Sequence, residues 1–232
     1  MASRTLVVVT ARNEGERIGA TLAALASGLP DAPLFLADDG STDATAEIAR
    51  DAGACLVRSA RAIGKGGAAT LAAREALREA RAHGGDRGAE SIVLLCDGDL
   101  GESAARLGPL VHAVRSGQAD LAVAAFKRRA GGGLGLAVAF ARWAIRRRCG
   151  LRLKAPISGQ RALRARVLSD VLPFAPGFGM ELGMTIDAAR AGHRVIEVEL
   201  DLSHRATGRT AAGFAHRGRQ LRDFVRAYRS RA

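Results

Sequence analysis

Leu94-Leu95-Cys96-Asp97-Gly98-Asp99-Leu100 is an apolar, strand-like run that stops on two carboxylates flanking a glycine. Leu34-Phe35-Leu36-Ala37-Asp38-Asp39-Gly40-Ser41-Thr42-Asp43 repeats the pattern earlier in the chain. A buried strand that ends in acids delivers oxygen ligands to the edge of a sheet, where α/β proteins keep their ligand sites. Asp97 and Asp99, two residues apart, are spaced to bind a hard divalent cation while leaving coordination positions for the phosphate oxygens of a second ligand. Asp-Gly is also common turn chemistry, so one such strand end reads equally well as a turn. Two of them favour a site.

Outward from these stretches, strand and helix patterns alternate. Thr5-Leu6-Val7-Val8-Val9 reads as a strand, and residues 13–26 as a helix with Ile18, Leu22 and Leu25 at helical spacing. After the strand at 34–37, Ser41-Thr42-Asp43 offers N-cap side chains to a helix over 43–52. A short strand at 55–58 precedes Gly64-Lys65-Gly66-Gly67, which opens a long alanine-rich helix to about residue 82. The strand at 92–96 follows. This β-α-β-α order with short connections predicts an α/β chain with helices on both faces of a mostly parallel sheet. The second half is less regular. It holds strands at 121–126 and 195–200, an apolar-basic segment at 134–148, a turn at Pro156-Ile157-Ser158-Gly159-Gln160-Arg161, and a short helix at 167–172. A helix to 191 follows Gly177-Phe178-Gly179-Met180-Glu181, and a basic helix begins near 213. With no repeat and no long linker, residues 1–232 are expected to form a single domain.

Of the 232 residues, 48% are apolar and 25% charged, an ordinary globular balance. The net charge of +12 is unevenly placed. Residues 1–120 hold 16 acids and 13 bases, whereas 121–232 hold 22 bases and 7 acids. No carboxylate falls between Asp120 and Asp170, where there are twelve Lys or Arg. An arginine-rich composition explains part of the excess but not its asymmetry. A basic half points to an anionic partner: phosphates, nucleic acid or an anionic membrane face. Cys55, Cys96 and Cys149 lack metal spacing and suit a reducing cytoplasm. The chain enters a strand pattern at once, so no signal peptide is expected, and no apolar run reaches the ~20 residues that span a bilayer. The expectation is a cytoplasmic protein, soluble or peripheral at the inner membrane face.

In order, the markers are Thr10-Ala11-Arg12-Asn13-Glu14, Asp38-Asp39-Gly40-Ser41-Thr42-Asp43, Gly64-Lys65-Gly66, Asp97-Gly98-Asp99, Ser158-Gly159-Gln160-Arg161 and Gly179-Met180-Glu181. Their order and spacing resemble the family-two glycosyltransferases of the GT-A fold, a Rossmann-like α/β/α sandwich that moves a sugar from a nucleotide donor. The resemblance implies a nucleotide-binding half, residues 1–100, and an acceptor-binding half, residues 101–232. It further implies a UDP- or GDP-linked sugar and Mg2+ or Mn2+ held by Asp97 and Asp99, with Asp99 catalytic and Asp97 also contacting the donor. The cation neutralises the departing nucleoside diphosphate. Glu14 and Asp39 have the chemistry to hold a nucleotide base, and Lys65, on a glycine-flanked turn, to approach a diphosphate as a point charge. A solvated surface lysine is the plainer reading of Lys65. Thr10 and Arg12 stand where the family usually has proline and an aromatic residue, and they border the same nucleotide site.

Within that family, Phe126-Lys127-Arg128-Arg129 before three glycines, followed by Ser158-Gly159-Gln160-Arg161, looks like the polyprenyl-phosphate glycosyltransferases. That likeness implies Lys127 and Arg161 on acceptor and donor phosphates, with the intervening segment against the membrane. Leu136, Phe140 and Trp143 would then form an apolar face, with Arg142, Arg146, Arg147 and Arg148 near headgroups. An ordinary helix with Trp143 in the core fits as well. A rival likeness, from Gly177-Phe178-Gly179-Met180-Glu181-Leu182-Gly183 and Asp201-Leu202-Ser203-His204-Arg205, is to retaining glucosyl-3-phosphoglycerate synthases. It implies His204 as a third metal ligand, although a histidine bonded to a loop carbonyl reads equally well. Glu181 is then a general base for a hydroxyl acceptor, or a residue orienting it; an ionised phosphate acceptor needs no base. Outside these readings stand a basic nucleic-acid-binding module, opposed by only 4% aromatics and no recognition motif, and a nucleotidyltransferase, opposed by the lack of a glycine-rich loop after the first strand. Glycosyl transfer without a nucleic-acid partner is the reading retained.

Overall fold

The computed structural model describes residues 4–126, 135–202 and 211–231. Its strands are β1 (Thr5–Ala11), β2 (Leu34–Asp38), β3 (Cys55–Arg58), β4 (Ile92–Asp97), β5 (Leu121–Phe126), β6 (Arg161–Arg164) and β7 (Val195–Leu200). The helices are α1 (Ile18–Gly28), α2 (Thr45–Asp51), α3 (Lys65–Gly84), α4 (Gly108–Arg115), α5 (Leu136–Cys149), α6 (Ala165–Val171), α7 (Gly179–Arg190) and α8 (Ala211–Arg229). The strands form one sheet in the order β3-β2-β1-β4-β6-β5-β7. Every pairing is parallel except those of β6, which runs antiparallel to β4 and β5. The expected α/β/α sandwich with a mostly parallel sheet is what the chain forms.

Alternation along the central strands decides which face each helix covers. Val7, Val9, Leu94 and Cys96 face α1, α4 and the 3-10 segment Gly101–Leu107; Leu6, Val8, Val93 and Leu95 face α3, α6 and α7. On α3 the buried stripe is Ala68, Ala69, Ala72, Ala73, Ala76 and Ala80. Side chains this small let the helix lie close to the strands, and each methyl still removes apolar surface from water. A third cluster joins α5, α7 and α8 through Ala144, Ile145, Leu182, Ile186, Phe224 and Ala227.

Two local expectations change. The first helix begins at Ile18, not near Asn13, because the amides of Asn13, Glu14 and Gly15 are drawn to Ser41 Oγ, Thr45 Oγ1 and Asp43 Oδ2 at 2.9–3.0 Å. Ser41 and Asp43 therefore tie two loops together; Ala44 is the residue before α2, and of the expected capping side chains only Asp43 accepts an amide there, that of Thr45 at 3.0 Å. Arg161 opens a strand rather than closing a turn; four residues are too few for periodicity to reveal. Segment 101–115, to which the sequence pattern assigned no element, forms the 3-10 turn and α4, with Leu110, Val111, Ala113 and Val114 buried.

Candidate active site

The parallel register puts Thr10 beside Asp97 and Ala11 beside Asp38, so the C-terminal ends of β1, β2 and β4 meet at one edge. There an open pocket of about 540 Å³ is lined by Thr10, Arg12 and Glu14 from β1 and its loop and by Asp39 after β2. Lys65 from α3 and Asp97 and Asp99 from β4 line it too. All seven belong to the expected site. Phe178, Arg219, Arg222 and Asp223 also line it, and nothing in the sequence pattern announced that the C-terminal helix would reach this point.

The two acids after β2 divide their work. Asp38 is buried; its Oδ1 accepts the Ser41 amide at 2.9 Å, and Arg58 Nε lies 3.1 Å from Oδ2. Asp39 Oδ1 accepts the amides of Ile63 at 2.6 Å and Gly64 at 3.0 Å. Asp39 thereby orders the turn that presents Lys65, while its carboxylate still borders the pocket. Gly64 adopts φ +88° in that turn, a conformation that disfavours any side chain.

Lys65 is not a solvated surface lysine. Its Nζ lies 2.6 Å from both Asp97 Oδ1 and Glu181 Oε1. Burial works against the ammonium, but the two carboxylates outweigh it and hold the Lys65 pKa above its ordinary value. Burial likewise pushes the Asp97 carboxyl up, and Lys65, Thr10 and Gln160 more than reverse this, leaving it below the usual range. Thr10 Oγ1 donates to Asp97 Oδ1 at 3.1 Å and Gln160 Nε2 to Oδ2 at 2.9 Å. Gly159 lies against this pair. A Cβ there would run into Asp97 Oδ2 and come within 2.8 Å of Lys65 Nζ. That close approach explains a glycine inside the Ser158-Gly159-Gln160 turn.

Both Asp97 oxygens thus have partners within the chain. Asp99, half-buried at the pocket edge, is the acid one step further along the same turn. Thr21, which sequence reading passed over, shapes that turn: its Oγ1 donates to Gly98 O and accepts the Gly101 amide, both at 2.8 Å. Carboxylate oxygens at an open pocket edge are the donor set a hard divalent cation takes. Among the described residues no group of three or more His, Cys, Asp or Glu converges on one point. Lys127 and His204 lie outside the described residues.

Arg161 requires a correction. Its side chain has no exposed surface, and its guanidinium donates to Ser158 O, Pro156 O and Thr185 Oγ1 at 2.8–3.0 Å. Burial lowers its pKa to about 10, still protonated at neutral pH. Facing inward, it braces the 156–160 turn and does not reach the pocket as a phosphate ligand. Elsewhere, Leu136 is 64% and Trp143 52% exposed on α5, with Phe140 and Tyr228 rings 5.6 and 5.1 Å from Trp143. Among the described residues no helix is long and apolar enough to cross a membrane.

The profile of Glycosyl transferase family 2 matches residues 6–170. An undecaprenyl-phosphate mannosyltransferase of Micrococcus luteus is 29% identical over 221 residues, spanning 88% of this chain and 86% of the relative. A glucosyl-3-phosphoglycerate synthase of Mycolicibacterium paratuberculosis is 34% identical over 214 residues, spanning 80% of this chain and 60% of the relative. Among solved structures, the glucosyl-3-phosphoglycerate synthase from Mycobacterium tuberculosis in complex with phosphoglyceric acid superposes with a TM-score of 0.76. The identity is 27%, over 99% of this chain and 80% of that one. The same enzyme in complex with Mn2+, uridine-diphosphate-glucose and phosphoglyceric acid gives 0.74, again at 27% identity, over 99% and 79%. The chain belongs to glycosyl transferase family 2 and has the GT-A fold.

Proposed function

We propose that this family-two glycosyltransferase moves a sugar from a UDP- or GDP-linked donor, with Mg2+ or Mn2+, to a polyprenyl phosphate at the inner membrane face. The observation that carries the donor half is the convergence of Glu14, Asp39, Lys65, Asp97 and Asp99 on one pocket at three strand ends. Complexes of the mycobacterial synthase with Mn2+ and uridine-diphosphate-glucose, and with Mg2+ and uridine-diphosphate, support the choice of donor and metal. Glu14 and Asp39 hold the nucleoside end, bordered by Thr10 and Arg12. Asp99 holds the cation, with His204 as a candidate further ligand, and the cation neutralises charge on the leaving diphosphate. Asp97 positions Lys65 beside that diphosphate. The whole chain acts as one unit, 1–100 serving the donor and 101–232 the acceptor.

The acceptor reading is supported by exposed Leu136 and Trp143 beside Arg142, Arg146 and Arg147, an apolar-basic helix suited to an anionic lipid surface. The mannosyltransferase relative, covered almost end to end, supports it too. Lys127 adds a cation after β5. Glu181, bonded to Lys65, is a positioning residue in this reading, because an ionised phosphate nucleophile has no proton to give up. A soluble phosphorylated acceptor is the second reading, favoured by the structural likeness to the synthase bound to phosphoglyceric acid. The test is a thermal-shift panel of UDP, GDP and their sugars with and without Mn2+ or Mg2+. Metal-dependent stabilisation by one nucleotide series is expected; no shift with any of them refutes the donor assignment.

A further inference from the structure

The basic wall of the pocket comes from α8, and its placement is built into the packing. Asp223 Oδ2 accepts the Phe178 amide at 3.2 Å, just before α7. Gly177 leaves room for that carboxylate, and a Cβ at Gly179 would lie 2.9 Å from Ala227 Cβ and 3.0 Å from Asp223 O. Phe224 and Ala227 are buried between the helices, and beyond them Arg231 binds Asp187 at 2.6–2.8 Å. These contacts hold one side of α8 against α7. Arg219 and Arg222, both exposed, line the pocket from the same helix.

Apart from Arg12, on the loop after β1 at the nucleoside end, the pocket floor has little positive charge to offer a second anion. Lys65 is already matched by Asp97 and Glu181, while Glu14, Asp39 and Asp99 add negative charge. A diphosphate enters such a floor with a cation; an anionic acceptor approaching the sugar needs positive charge from another wall. Arg161 faces the interior, so it cannot supply that charge. We propose that Arg219 and Arg222 form the subsite that grips the acceptor's phosphomonoester, an inference resting on the glycosyl-transfer reading above. Arg222 is only loosely engaged within the chain, 3.6 Å from Asp223 Oδ1, and its fork suits a phosphate oxygen pair.

The experiment is calorimetric titration of the full chain, with and without saturating UDP and Mg2+, using farnesyl phosphate and, separately, glycerol 3-phosphate. The double variant Arg219→Gln/Arg222→Gln should weaken phosphomonoester binding by about a hundredfold, roughly tenfold per charged hydrogen-bonding group, while UDP affinity stays within about twofold. Arg229→Gln, at the far end of the same helix, should change neither and controls for bulk charge. Binding of farnesyl phosphate alone identifies a lipid source; equal binding of both probes shows that the phosphate is the element recognised. Unchanged phosphomonoester affinity in the double variant, or an equal loss of UDP affinity, overturns the proposal. So does a wild-type chain that binds UDP with Mg2+ but neither probe, an outcome that leaves the donor assignment standing. Failure of the wild type to bind UDP strikes the donor reading instead, and the titrations without UDP still read the subsite.

Discussion

Lys65 Nζ and Glu181 Oε1 meet at 2.6 Å, joining the first residue of α3 to the first turn of α7. The same ammonium holds Asp97, so a charge that a diphosphate could use is set by residues far apart in the chain.

Lys65→Met removes the ammonium that bridges Asp97 and Glu181. Breaking a buried ion pair from one side costs about 3 kcal/mol, and urea melts should show that loss at neutral pH. The native linkage has two edges. Asp97, with its pKa depressed, contributes stability above the ordinary 3.8 that is lost as pH falls through its lowered value. Lys65, with its pKa raised, contributes below 10.5 and loses that contribution only as pH rises through its raised value. The wild-type contribution of this cluster is therefore flat between these limits. In Lys65→Met only the Thr10 and Gln160 hydrogen bonds remain to oppose burial at Asp97, and the acid edge moves up. An unmoved acid edge refutes the coupling.

Glu181→Gln separates positioning from proton transfer. The amide oxygen can still accept from Lys65, so turnover should stay within about tenfold, whereas loss of a general base costs 10²–10⁴. A drop in kcat of about a thousandfold with unchanged KM, together with loss of the acidic limb of the pH profile, would instead make Glu181 the base.

Gly159→Ala drives a Cβ into the Asp97 carboxylate. Overpacking of this kind costs about 1–3 kcal/mol and displaces the Asp97–Lys65 pair. The expected result is a lowered melting temperature with nucleotide binding weakened in parallel; native stability with native binding would show that the turn moves aside freely.

Asp39→Ala removes the acceptor for the Ile63 and Gly64 amides. Hydrogen bonds to a charged group contribute about 1.5–3 kcal/mol, so UDP affinity should fall tenfold or more as the Lys65 turn loosens. Calorimetry at fixed metal concentration is the check, and unchanged affinity refutes the role.

Asp99→Asn should leave the melting curve of the apo protein intact and abolish the part of nucleotide binding that depends on Mn2+ or Mg2+. Excess chelator should reduce the wild type to the level of the variant. Full activity under either condition rules out the metal assignment.

The acceptor readings separate at Trp143. Flotation with anionic vesicles at low salt should carry the protein upward and blue-shift its single tryptophan, and Leu136→Glu/Trp143→Glu should sediment. If the wild type stays soluble and its emission is unmoved, the soluble phosphorylated acceptor is the better reading.

Strand ends that stop on acids are written locally, which is why Asp39, Asp97, Asp99 and the parallel sheet were legible in the chain. Apolar runs of five or six residues ending in carboxylates have few other uses, and the alternating helices leave a parallel arrangement as the economical one. The sequence by itself therefore determined the fold class, the family and the floor of the pocket. Tertiary structure decided which charges are available. Arg161 and Arg222 are the same residue type in the same basic half, yet one is turned inward to brace a turn and the other faces the pocket. That difference depends on the antiparallel insertion of β6 and on α8 docking across the glycines of α7, contacts between segments tens of residues apart. Local pattern reports which side chains are charged; only long-range packing determines which of those charges reach a ligand.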